Sequence, residues 1–159
     1  MNTIKLSFPW LVLFPATYLL HILEEYWAGE GFHRWIRRIA RISLTPAQFL
    51  SINAVLWVAM DFAIFSVHSL STEGSIVVAL AVIVSVNGLG HLLGTLYTGS
   101  YSPGVATGLV FWVPLGIYAL IRTAQVLSAA LLWIGVAAGL MIQAIVSLLA
   151  LILGRCNES

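Results

Sequence analysis

Few residues in this chain can do chemistry, and three of them stand together. His21, Glu24 and Glu25 close an apolar run that begins at Phe8, in the order His-Ile-Leu-Glu-Glu. At i, i+3 and i+4 of a helix, the two carboxylates flank the line through His21. Asn87 and His91 repeat the i, i+4 spacing later, and Asn53 and Asp61 interrupt another apolar run. Ionisable groups inside membrane-length segments are costly and mark functional sites by default. Imidazole and carboxylate together suit a divalent metal: zinc, iron or manganese. His21, Glu24, Glu25 and His91 are therefore the candidate ligands. Three ligands plus water make an open centre that activates the water at neutral pH. Whichever of Glu24 and Glu25 stays unligated is the candidate general base, so both are candidate catalytic residues. Asn53 and Asn87 are candidate orienting groups for ligands or substrate. Tyr101 and Pro103 would shape the entrance. A second reading makes the same residues a hydrogen-bonded cluster. In it the glutamates are solvated and paired with Arg34 or Arg37. His21 then bonds Asn53 or Asn87, and the layer holds helices together or holds a small ligand, proton or haem-like cofactor.

The elements that must carry these residues follow from composition. The chain has 159 residues, 60% hydrophobic and 8% charged, where about a quarter charged is usual for a soluble domain. The expected fold is all-α: a polytopic membrane helical bundle of about five transmembrane helices plus one interfacial amphipathic helix, forming one domain over residues 1–159. At about 20 apolar residues per span, the spans fall near 8–27, 46–67, 75–97, 105–121 and 124–153. The first follows Lys5 and could pass for a signal peptide. Glu24, Glu25, Tyr26 and Trp27 make a poor cleavage region, so a retained helix is expected. Residues 29–41 set Phe32, Trp35, Ile36 and Ile39 against Arg34, Arg37, Arg38 and Arg41, the pattern of a helix lying in the headgroup region. Thr45-Pro46 is a helix start with proline in the first turn. The lone Cys156 excludes an intrachain disulfide and a cysteine metal knuckle, and a free thiol is expected there. Net charge is +1, which argues against a nucleic-acid surface. No internal repeat is evident, which argues against a secondary transporter.

Arginine placement orients the bundle. Arg34, Arg37, Arg38 and Arg41 lie between the first two spans and Arg155 follows the last, against Lys5 and Arg122 on the other side. Basic loops stay inside, so the amino terminus is expected outside and the carboxyl terminus in the cytoplasm, in a bacterial inner membrane. Depth then aligns the polar residues. At 1.5 Å per residue, His21 lies roughly 20 Å and Asn87 roughly 18 Å from the outer face, and Asn53 roughly 10 Å from the inner one. In a core about 30 Å thick these coincide, with Glu24, Glu25 and His91 about one turn further in. Asp61 falls in the outer half, and His33 and His68 are expected to be solvated. The pairs Gly90/Gly94, Gly104/Gly108 and Gly135/Gly139 have small-xxx-small spacing, for packing within the bundle or between copies. The expected partners are the lipid bilayer, an apolar small-molecule substrate and, through those faces, a second copy of the chain.

His21-Ile-Leu-Glu24-Glu25 resembles the signature of the HXXEE family of small membrane proteins. The likeness continues in Glu25-Tyr26 with Phe32-His33-Arg34-Trp35, in Asn87 with His91, and in Tyr101-Ser102-Pro103-Gly104, covering roughly residues 15–115. It implies an all-helical integral membrane fold and points to the polar layer as the functional site. It supplies no reaction.

Overall fold

The computed structural model describes residues 8–156, and every regular element among them is helical. Lys5 and the side chain of Cys156 lie outside the described part. A 3-10 turn, Pro9–Val12, leads into α1, Leu13–Trp27. Then come α2, Phe32–Ala40, α3, Pro46–Phe65, and α4, Gly74–Thr98. Helix α5, Val105–Ala124, contains a π turn at Gly108–Trp112, and α6 is Ala129–Cys156.

Helices α3, α4, α5 and α6 are long and apolar enough to cross a membrane. Helix α1, at 15 residues, is shorter than such a span. The expected run from Phe8 divides because its first four residues wind as the tighter 3-10 turn. Four spans are thus evident by length and composition, against the five expected. The interfacial helix is also shorter than 29–41. Gly29 and Gly31 take φ of +58° and +77° and turn the chain before α2 starts, and Arg41 ends it at φ +54°. The last helix starts at Ala129, not 124. The amides of Val126 and Leu127 bond back to the Thr123 carbonyl at 3.1 and 3.0 Å, ending α5. Ser128 then caps α6, its hydroxyl accepting from the Leu131 amide at 3.4 Å. The start of α3 is as expected: Thr45 and Gln48 form a reciprocal capping box ahead of Pro46.

Helix α4 is the centre, packed against α3, α5 and α6, while α1 packs on α3 and α5. Between apolar helices in lipid there is little hydrophobic drive, and close approach at small residues does the work. Gly135 and Gly139 do this for α6. A Cβ on Gly135 would lie 2.6 Å from the Ser75 carbonyl oxygen, and one on Gly139 2.7 Å from that of Ala79. Gly88 and Gly108 meet backbone to backbone where α4 crosses α5. The outer face of α6 stays exposed at Trp133, Ile145 and Leu148, a surface fit for lipid. The π turn has a local cause. Pro114 cannot donate to the preceding turn, and the helix widens just before it. The extra residue places Trp112 inward, 2% exposed, in a core with Phe14, Tyr18, Ile64, Val84 and Leu115.

Candidate metal centre

Helix α1 sends three polar side chains to one end of the bundle. Tyr18 donates to Asn53 Oδ1 on α3 at 2.8 Å, and Asn53 Nδ2 returns to its own helix at the Phe49 carbonyl, 2.9 Å away. One turn on, His21 is 1% exposed. Its ring stacks on Trp112, centroids 3.7 Å apart and planes at 28°. One further turn on, Glu25 is 6% exposed, as is His91 from α4. Glu25 Oε1 lies 3.2 Å from His91 Nε2 and 3.7 Å from His21 Nε2. One ligand atom from each of the three falls within 4.8 Å of the others.

The far nitrogens of both rings are held by hydroxyls. His21 Nδ1 is 2.7 Å from Thr107 Oγ1, and His91 Nδ1 is 3.0 Å from Ser102 Oγ. The turn between α4 and α5 brings both hydroxyls in. Gly99, at φ +61°, ends α4, and Ser102 N bonds Thr95 Oγ1 at 3.1 Å. Gly104, at φ +104°, passes its backbone directly over the two imidazoles. A Cβ there would be 2.8 Å from His91 Cε1 and 2.9 Å from His21 Cε1. Only glycine suits both this φ and this approach.

His21 Nε2 and Asn87 Oδ1 are both buried without a hydrogen bond of good geometry, and the Asn87 side chain lies within reach of the His21 ring. Buried polar atoms are normally satisfied, and the space between the two imidazoles and Glu25 is one that a cation could fill. Imidazole nitrogen and carboxylate oxygen are the donor set of zinc and of non-haem iron.

The other sequence candidates are placed differently. Glu24 lies outside the three-residue group. Its carboxylate accepts from the amides of Gly104, Ala106 and Thr107 at 3.1, 3.0 and 2.6 Å, and from the hydroxyls of Tyr101 and Thr107. It therefore caps the amino terminus of α5 from another helix, where a negative charge meets the helix dipole. Neither motif glutamate pairs with an arginine among the described residues. The guanidinium of Arg38 instead binds Glu30 Oε1 at 2.5 Å and Ser100 Oγ at 3.2 Å, tying α2 to the turn after α4. Asn53 reaches the centre only through Tyr18, whose ring lies 5.4 Å from Trp112. Tyr101 is 43% exposed, and burial and Glu24 raise its phenol above the usual range. Pro103 is fully buried beside Ser102. His33, expected in solvent, is half-buried against Tyr26; burial first, then Arg34 and Arg37, lower its pKa. Asp61 stands half-buried on α3, apart from the centre.

Thr107, Ser102, Trp112 and Gly104 were not anticipated as site residues. Gly104 was legible as part of the Tyr-Ser-Pro-Gly turn. Ser102 lies in the same turn, with nothing to single out its hydroxyl, and Thr107 carries no signal, since one hydroxyl in an apolar helix is ordinary.

Long apolar helices around a buried histidine–glutamate cluster define the class: a membrane protein with a polar site between its helices. Within that class, the chain belongs to the family described as proteins of unknown function with an HXXEE motif, which it matches over residues 12–119. No curated protein and no solved structure matches it.

Proposed function

We propose that this protein is a membrane-embedded metalloenzyme acting on an apolar or lipid-like substrate, with a divalent ion held by His21, Glu25 and His91. The observation that carries the reading is the convergence of three buried ligand atoms within 4.8 Å of one another. With three protein ligands, a fourth position is left for water or substrate, as in catalytic sites. Zinc there would supply an activated water for hydrolysis, and ferrous iron would supply oxidation chemistry. This chain's part is to hold the ligands, keep the centre dry and orient the bound group, with Asn87 beside His21 to assist. An open apolar groove of about 350 Å³ between α1 and α5, lined by Leu13, Thr17, Leu20, Val110, Phe111 and Leu115 and by none of the centre's residues, is compatible with an apolar substrate. It runs along the two helices that carry His21 and Trp112.

The proposal includes α1 as a fifth span, the amino terminus outside, and residence in a bacterial inner membrane, supported by the arginines of α2 and by Arg155. A second copy of the chain as partner is part of it.

Elemental analysis of detergent-purified protein tests the reading, wild type beside His21→Ala and Glu25→Gln. About one ion per chain, lost in both variants, supports it, and the metal found selects hydrolysis or oxidation. A metal-free wild type refutes it and leaves a non-enzymatic pocket for a small organic ligand.

A further inference from the structure

His21 can offer a ligand atom only if its proton sits on the other nitrogen. We propose that Glu24 and Thr107 are a positioning pair that holds His21 in its Nδ1–H tautomer, so that Nε2 faces the centre as a lone pair and Glu25 alone of the two motif glutamates is a ligand. The assignment of Glu25 rests on the metal reading; the tautomer does not.

A count of hydrogens around Thr107 fixes the arrangement. A threonine hydroxyl has one hydrogen to give and lone pairs to accept with. Glu24 is surrounded by donors only, namely three backbone amides and two hydroxyls. The Thr107 hydroxyl gives its hydrogen to Glu24 Oε2, which also takes the Thr107 amide at 2.6 Å. With that hydrogen committed, Thr107 Oγ1 can only accept from His21 Nδ1, 2.7 Å away. Nδ1 therefore carries a hydrogen, and when the ring is neutral Nε2 is the bare nitrogen. Nε2 is the atom found buried without a hydrogen bond of good geometry, and it is 3.7 Å from Glu25 Oε1. Stacking on Trp112 keeps the ring from turning out of this plane. Metal-bound histidines commonly give their second ring N–H to such an acceptor, which fixes tautomer and orientation. Here a hydroxyl passes the carboxylate's pull to the ring. His91 differs: among the described residues no carboxylate takes the hydrogen of its partner Ser102 Oγ, so the assignment is confined to His21.

The two consecutive glutamates thereby separate by role. Glu25 points toward His91, and Glu24 anchors Thr107 and the first turn of α5. Thr107 is not part of the motif, and it joins the motif's first and second charged positions across helices.

The test reads the tautomer directly. Protein labelled with ¹⁵N-histidine, in detergent and free of metal, is examined by ring-nitrogen chemical shifts, with the His21 signal assigned by its loss in His21→Ala. Wild type is expected to show the Nδ1–H tautomer. Thr107→Val keeps the amide that caps Glu24 and nearly the same shape, and removes only the hydroxyl. It is expected to release the ring to a mixture rich in Nε2–H and to weaken zinc binding about 10–100-fold. Thr107→Ser is expected to restore both. Wild-type His21 carrying Nε2–H, or Thr107→Val keeping Nδ1–H, overturns the proposal. Should Thr107→Val not fold, the wild-type shifts and the Thr107→Ser protein still decide it. An Nδ1–H wild type that binds neither zinc nor ferrous iron nor manganese refutes the metal reading and upholds the positioning pair.

Discussion

Gly104→Ala is the substitution that tests the centre most sharply, because the backbone and the two imidazoles both oppose it. At φ +104° the residue lies where side chains rarely go, and such strain costs about 1–3 kcal/mol. The new Cβ would stand 2.8 Å from His91 Cε1 and 2.9 Å from both His21 Cε1 and His91 Nε2. Overpacking of this kind adds about 1–3 kcal/mol. The rings have nowhere to retreat, since His21 lies on Trp112 and His91 meets Phe32 edge-on at 5.5 Å. Gly99→Ala is the control. Its φ is +61°, with nothing within 4 Å of an added Cβ, so it should pay only the left-handed strain, about 1–2 kcal/mol. Unfolding titrations in mixed micelles with a denaturing detergent measure the two losses, and elemental analysis measures the metal. Gly104→Ala should lose about 2–6 kcal/mol, the sum of strain and overpacking, with its metal content reduced. Gly99→Ala should keep its metal. Equal behaviour of the two variants would refute the contact between the turn and the rings.

Other perturbations separate the roles of neighbouring residues. Glu24→Ala strips the cap from α5 and should cost about 2–4 kcal/mol, since several donors lose a charged acceptor at once; Glu25→Ala should change metal-free stability less yet empty the centre, and the same two assays compare them. Gly94→Ala would bring a Cβ to 2.7 Å from Trp35 Cη2, whereas Gly90 has nothing within 4 Å. The first should lift α2, seen as a red-shifted tryptophan emission, while Gly90→Ala should gain about 0.5–1 kcal/mol from helix propensity. Asn53→Ala leaves the Tyr18 hydroxyl without its acceptor and should cost about 1 kcal/mol with unchanged metal content; a variant that lost its metal would place Asn53 in the centre after all.

Much of this molecule is one-dimensional information. Apolar runs of membrane length announce the helices, because in lipid every backbone group must be satisfied within its own segment. Thr45, Pro46 and Gln48 mark the start of α3 because capping is local. His21 and Glu25 share a face because i and i+4 always do. Depth alone brought Asn53 and Asn87 to the level of His21 and His91 to that of Glu25, and for His91 it sufficed. For Asn53 it did not, because depth says nothing about rotation around a helix axis: Asn53 meets Tyr18, and only Tyr18 leans toward the centre. The same freedom hid the difference between Glu24 and Glu25. Adjacent helical residues point about 100° apart, as 3.6 residues per turn requires. Which of them faced His91 depended on where α5 began. Tertiary structure decided that by setting the amides of Gly104, Ala106 and Thr107 against one carboxylate and His91 against the other. The sequence alone thus determined the helices and the depth of the site. Packing determined which side chains form it, because rotation and neighbour choice arise only when the helices meet.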